Sequence, residues 1–184
     1  MYRISNDPRR VRSAGQIMWG VEECLKCKKL ADISVTEVCN TAHVGRNTFY
    51  RLFDNLIDVF RYYSDNALGM VYTHLKEKGH ISIQETCLRS MEELMRRPLL
   101  LDALLANDRL DIIYQSHVEY RETVREVLRD RKQLSDSLVD YLLYHMSAMS
   151  AAYLRVWYMH GKVESVDEVY GYMKADCSIL SEML

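Results

Sequence analysis

Residues that interrupt regular structure are scarce in this sequence: proline occurs twice, at Pro8 and Pro98, and glycine seven times in 184 residues. So few breakers argue against many short strands and tight turns and favour long helices. Long apolar runs are missing too. The clearest, Leu99-Leu100-Leu101, falls far short of the ~20 residues that cross a bilayer. The polar, basic stretch from Met1 to Arg12 has no apolar signal core behind it. No membrane partner is expected, and the expected location is cytoplasmic. There is no Gly-rich phosphate loop, no His-Glu-x-x-His and no nucleophile elbow, and the six histidines are scattered. An enzyme is not expected, and no cofactor is implied. The cysteines number five, at 24, 27, 39, 87 and 177. An odd count without a signal peptide reads as free thiols. Cys24-x-x-Cys27 has the spacing of half a metal site or a redox pair. No second pair follows, and it lies inside a helical pattern, so packing is the plainer role.

What is present is helical pattern. Asp7-Pro8 reads as a helix start, and Ile17, Val21, Cys24 and Leu25 form its apolar stripe, with a break at Ala31-Asp32. Ser34 and Glu37 have capping-box spacing. Val35, Val38, Cys39 and Ala42 face inward on a short helix, followed by a turn at His43-Val44-Gly45. A second short helix runs from about Arg46 to Phe53 with Phe49, Leu52 and Phe53 inward. Asn55 caps a long helix over 56–78. Ser82-x-x-Glu85 opens a helix with Glu85/Arg89, Glu92/Arg96 and Glu93/Arg97 at i, i+4 spacing. Pro98 opens a short helix to about Asn107. One further helix is expected to carry Ile113, His117, Tyr120, Val124 and Leu128 on one face. Another runs from Leu134 to His160, and Ser165-x-x-Glu168 opens the last, to about Met183. The expected fold is all-α: a three-helix N-terminal domain over 1–55 and a larger helical bundle over 56–184, about nine helices in all.

Charge separates the same two parts. Residues 1–61 carry ten Lys/Arg against seven Asp/Glu, a balance of +3, and residues 62–184 carry fourteen against nineteen, a balance of −5. A basic head on an acidic body suits a nucleic-acid-binding module joined to a different domain. Two short helices joined by a tight turn, behind a basic helix, form a helix-turn-helix, whose second helix enters the major groove. The first helix and its flanks meet phosphates. Arg46, Asn47, Thr48 and Arg51 project outward from the second helix. Arg pairs with guanine, Asn with adenine, and Thr touches a thymine methyl or a phosphate. Tyr50 offers a ring to pack and a hydroxyl to reach a phosphate.

The stretch from Ile33 to Phe53, above all Thr48-Phe49-Tyr50 followed by Phe53 and a capped helix, resembles the N-terminal signature of tetracycline-repressor (TetR) regulators. The resemblance covers about residues 10–62. It implies a dimer that binds double-stranded operator DNA and a larger domain that takes a small-molecule effector and dimerises through its last two long helices. It places Ser34 and Thr36 at the start of a phosphate-contacting helix. It also places Gly45 in the turn, Arg46, Asn47 and Thr48 at base-reading or phosphate positions, Tyr50 at a phosphate-contacting tyrosine, and Arg51 just beyond. Three positions depart from the pattern: His43 stands where glycine is usual, Gly45 where serine is common, and Leu56 where a phosphate-contacting lysine is common. Leu56 motivates a rival reading, a co-regulator of the same fold that acts through protein–protein contacts.

In the larger domain, Leu138, Tyr141, Leu142, His145, Met149 and Val156 line one helix, and Val169 and Met173 the last. Two such helices per subunit make a four-helix dimer interface, or an internal core. Tyr114, His117, Tyr120, Tyr153 and Trp157 are large residues with polar tips beside apolar faces, fit either for a ligand pocket or for core. The effector, the operator and the sense of regulation, repressor or activator, are not encoded in any motif, although repression is the commoner habit of the family.

Overall fold

The computed structural model describes residues 2–4, 7–79, 82–128 and 135–183, with side chains for all of these except 83, 84, 128 and 177–183. Among the described residues there are ten α-helices and no strand: α1 Pro8–Leu25, α2 Val35–Thr41, α3 Arg46–Leu52, α4 Leu56–Lys78, α5 Ile83–Met95, α6 Pro98–Ala106, α7 Leu110–Val118, α8 Arg121–Leu128, α9 Asp136–Met159 and α10 Val166–Met183. The all-α expectation holds. No helix of the described residues is long and apolar enough to cross a membrane. By packing, the chain divides into two units that are discontinuous in sequence: Met1–Asp65 with Arg97–Ile112, and Asn66–Arg96 with Ile113–Leu184.

In the first unit, the Asp7 carboxylate accepts the Arg9 amide at 2.9 Å and Pro8 fills the first turn of α1, a position where its missing N–H costs nothing. α1 buries Ala14, Ile17, Met18 and Val21. Its Gly20 permits a close approach to α2, because a Cβ there would lie 2.9 Å from both the Ala42 Cβ and the Val38 carbonyl. A 3₁₀ turn over Leu30–Asp32 leads to α2. There the Ser34 hydroxyl accepts the Glu37 amide at 3.2 Å and the Glu37 carboxylate accepts the Ser34 amide at 2.9 Å, which completes the expected capping box. α4 begins where the Asn55 side chain accepts the Asp58 amide at 3.1 Å. α6, with Leu100, Leu101, Leu104 and Leu105 fully buried, completes this unit.

The second unit is centred on Leu68, Val71, Tyr72, Leu75, Val124, Val139, Leu143 and Met146. α9 starts on the Ser135 hydroxyl, which accepts the Leu138 amide at 3.2 Å, and ends before Gly161 at φ +76°. α10 opens on the expected Ser165–Glu168 box. Leu134, Arg129 and the side chains of Leu128, Cys177 and Leu180 lie outside the described residues.

Two local expectations are corrected. The single helix expected across 113–128 is two, α7 and α8, with a turn at Glu119-Tyr120. Neither glycine nor proline marks the break. Tyr120 is turned to lie parallel to Tyr72, with ring centroids 4.6 Å apart and planes 10° apart. Its hydroxyl sits 2.8 Å from where a Cβ on Gly69 would be, so the Tyr120 side chain packs over the part of α4 that carries no side chain. The ion pairs at the end of α5 also differ. Glu93 pairs with Arg96 at 3.1 Å, while Arg97 reaches Glu22 on α1 at 2.5 Å. Pro98 forces the residue before it out of helical geometry, and Arg97, at φ −125°, ψ 74°, has left the face of α5.

Candidate nucleic-acid interface

α3 has only seven residues, so burial and the turn before it must hold it in place. Phe49 and Leu52 on the helix and Phe53 just after it are fully buried. The Phe49 ring packs on Phe53 at 5.7 Å between centroids, and Phe53 on Tyr62 at 5.9 Å. The turn closes with the Val44 amide donating to the Cys39 carbonyl at 2.9 Å, and His43 adopts φ +53°. The position where the resemblance expects glycine is thus the left-handed one. The Gly45 carbonyl accepts the Thr48 and Phe49 amides at 2.9 and 3.1 Å.

With that side buried, Arg46, Asn47, Tyr50 and Arg51 are exposed and Thr48 is half-buried. The Arg46 guanidinium lies 6.0 Å from the Tyr50 ring centroid. α3 therefore offers two guanidiniums, an amide and a phenol on one short element, side chains suited to base edges and phosphates. At the start of α2, Ser34 and Thr36 are exposed. The Ser34 hydroxyl is already committed to the capping box, since it also donates to the Glu37 carboxylate at 2.8 Å. That carboxylate pairs with Lys28. The Lys28 ammonium, then the Ser34 amide and hydroxyl, pull the Glu37 pKa down to about 2.

One contributor carries no sequence signal. Residues 2–4 precede the first helix cap and show no periodicity, yet the Arg3 amide donates to the Leu52 carbonyl at 2.7 Å and the Arg3 guanidinium pairs with Asp54. The Tyr2 ring meets Tyr62 at 5.4 Å, and its hydroxyl donates to Asp65 at 2.5 Å. The extreme N-terminus thereby braces the end of α3.

The remaining candidates all lie in the second unit. His117 is fully buried, with its Nδ1 2.9 Å from the Tyr72 hydroxyl, and burial lowers its pKa to about 4. Tyr114 and Tyr120 are half-buried. Tyr120 lines a cavity of about 300 Å³ together with Tyr72, Thr73, Lys76, Glu77 and Thr123. Tyr153 and Trp157 line a different one of about 470 Å³ between α9 and α10. Sequence periodicity did not mark that cavity's other polar residues, His160, Glu164 and Asp176. Of the candidate dimer residues, Leu138, Tyr141, His145 and Val156 are exposed, Leu142 and Met149 half-buried, and Val169 and Met173 buried within the unit. Cys24 and Cys27 are free thiols beside Lys28, Glu37 and Thr41. Among the described residues no group of three or more His, Cys, Asp or Glu could hold a metal ion.

No family model and no curated protein matches this chain in sequence. Solved structures do match in fold. Lin0861 from Listeria innocua aligns with a TM-score of 0.75 at 15% identity, over 97% of this chain and 96% of that one. The dihydroxyacetone kinase operon activator DhaS aligns with a TM-score of 0.62 at 15% identity, over 94% and 97%. A TetR transcriptional regulator from Rhodococcus sp. RHA1 aligns with a TM-score of 0.47 at 16% identity, over 96% and 98%. At this identity the likeness to Lin0861 and to DhaS is one of fold, an all-α arrangement shared over nearly the whole of each chain.

Proposed function

We propose that this chain is a transcriptional regulator that binds double-stranded operator DNA as a homodimer through α2 and α3 and is controlled by a small molecule. The observation that carries this reading is α3 itself: its buried Phe49 and Leu52 leave Arg46, Asn47, Tyr50 and Arg51 exposed on a helix fixed by a tight turn. Helix-turn-helix proteins present such side chains to the major groove. A fold shared with an operon activator agrees with a role in regulation. The effector acts by population shift: a ligand that prefers one arrangement of the dimer moves the chain toward it. α4, which contributes residues to both units, is the candidate lever.

The test is binding of the purified protein to its own upstream DNA across a salt series. Selective binding should weaken steeply with salt, with a log–log slope of about −0.9 per phosphate contact. Arg46→Ala should cost about 1–3 kcal/mol of specific binding. Absence of selective binding in both the presence and absence of effector overturns the operator reading. Full regulatory activity in an Arg46→Ala/Tyr50→Phe double variant would instead favour the co-regulator that works through protein contacts.

A further inference from the structure

Packing accounts for Cys39 and Cys87, which are buried, but not for Cys27, which is exposed. Free cysteine is among the most buried residue types, so an exposed thiol asks for another reason. Cys24, three residues earlier, is half-buried, and both are free thiols. Both line one cavity of about 240 Å³ between the end of α1 and α2, together with Lys28, Glu37, Asn40 and Thr41. The backbone holds the pair in helical register: the Cys27 and Lys28 amides donate to the Cys24 carbonyl at 3.2 and 3.1 Å. Residues three apart on a helix have Cβ atoms roughly 5–6 Å apart on one face. The Cys24 Sγ lies 3.7 Å from Thr41 Oγ1, which places it against α2. The Glu37 carboxylate in the same cavity is committed to Lys28 and to the Ser34 amide. Among the described residues no third His, Cys, Asp or Glu completes a metal-holding group here. The cavity therefore offers two accessible sulfurs and no further soft ligand among the described residues.

We propose that Cys24 and Cys27 bind one soft, closed-shell cation of the copper(I) class, held two-coordinate between their sulfurs. Thiolates select such ions over hard ones. Zinc takes three or four protein ligands, and this pair supplies two. Metal–thiolate bonds are about 2.3 Å long, so an in-line sulfur–metal–sulfur bridge spans ~4.6 Å, a reach that matches the spacing of the helical turn. A disulfide would instead draw the two Cβ atoms to about 3.5–4.5 Å, which tightens the turn. Binding balances without electron transfer: two thiols release two protons as two sulfur–metal bonds form, and the adduct carries one negative charge. The exposed ammonium groups of Lys26, Lys28 and Lys29 flank it in sequence. Lys26 and Lys28 already pair with Glu23 and Glu37, and Lys29 adds a third cation. The site lies outside the cavities of the second unit, and it rests on the regulator reading for one consequence only. An ion there sits against α2, beside the Lys28–Glu37 pair that closes the α2 cap, and so would bias the helix that meets phosphates.

The test uses the reduced full chain, without oxygen and without DNA. Copper(I) is offered as its coloured bicinchoninate complex, and the loss of colour counts the metal withdrawn. One copper(I) per chain should be withdrawn, and X-ray absorption should show two sulfur neighbours and no oxygen or nitrogen. Cys24→Ser and Cys27→Ser, each checked for an unchanged helical spectrum, should each weaken binding by more than the roughly 10–100-fold that a lost outer-shell partner costs. Cys87→Ala, folded by the same check, should bind copper as the parent does. Zinc(II) offered with a zinc indicator should bind far more weakly. No withdrawal of copper overturns the proposal, as does zinc binding of equal strength or copper retained by the Cys24→Ser/Cys27→Ser chain. So does one copper per two chains with a dimer that forms only on metal addition, because Cys27 would then bridge two copies. A pair that exchanges with glutathione disulfide, closing its own disulfide and releasing two glutathione thiols, while the reduced chain takes no copper, would be a redox pair instead. Copper binding by a chain that ignores DNA would keep this inference and overturn the regulator reading. Selective DNA binding without copper binding would do the reverse.

Discussion

His43 holds a left-handed backbone conformation, φ +53°, in the turn that sets α3 against α2. For a residue with a Cβ that conformation costs roughly 1–2 kcal/mol, and for glycine almost nothing. Glycine in turn raises the entropy of the unfolded chain, which gives back part of the gain. His43→Gly should therefore stabilise the first unit by up to about 1 kcal/mol, read as a raised denaturant midpoint. An unchanged or lowered midpoint would mean that the imidazole makes a compensating contact. His117 makes the opposite kind of demand. It is folded neutral, with its pKa lowered from 6.5 to about 4 by burial. The unfolded chain then binds more protons than the folded one between those values, so stability is complete above pH 6.5 and is lost as pH falls toward 4. Between pH 7 and 5 the protein should lose about 2 kcal/mol that a His117→Gln chain does not lose. Parallel pH profiles for the two chains would show that His117 is not the titrating group.

α1 and α2 approach at Gly20 more closely than two helices can when each carries a Cβ at the crossing, since one of the atoms met at 2.9 Å is the backbone carbonyl of Val38. Gly20→Ala should gain up to ~1 kcal/mol of helix propensity and lose roughly 1–3 to overpacking, for a net destabilisation. Gly15, on the same helix, has nothing within 4 Å of its missing Cβ. Gly15→Ala should therefore stabilise by about 0.5–1 kcal/mol. Thermal unfolding of the pair separates propensity from packing, and two shifts of the same sign would contradict the close approach. The break between α7 and α8 belongs to this scale too. Periodicity runs unbroken from Ile113 to Val124, and no residue type there ends a helix. The stacking of Tyr120 on Tyr72, forty-eight residues away, decides the boundary. Arg97 likewise has i, i+4 spacing from Glu93, yet the geometry imposed by Pro98 carries it to Glu22.

At the scale of the whole molecule, the exposed face of α9 is apolar where a monomer would be expected to be polar: Leu138 is 40% and Tyr141 76% exposed. Large exposed apolar patches mark interaction surfaces, and closed two-fold dimers are the commonest assemblies. Sedimentation at micromolar concentration should give a dimer, and Tyr141→Asp should shift it toward monomer without lowering helical content. A monomeric parent chain would remove the two-fold geometry in which operator half-sites lie ~34–36 Å apart.

Local chemistry determined much of this protein before any packing was considered. Pro8, Ser34, Asn55 and Ser165 start helices in the structure where the sequence puts them, because a cap needs only residues within one turn. The inward set Phe49, Leu52 and Phe53 was legible from spacing, since a 3.6-residue period fixes which side chains share a face. Only the tertiary structure could assign α6 to the N-terminal unit, turn Tyr120 out of its helix, and brace α3 with residues 2–4. It alone separates the candidate pocket residues between two cavities and brings Tyr153 to Asp176. These depend on contacts between residues far apart in the chain, and such contacts leave no trace in local spacing or capping.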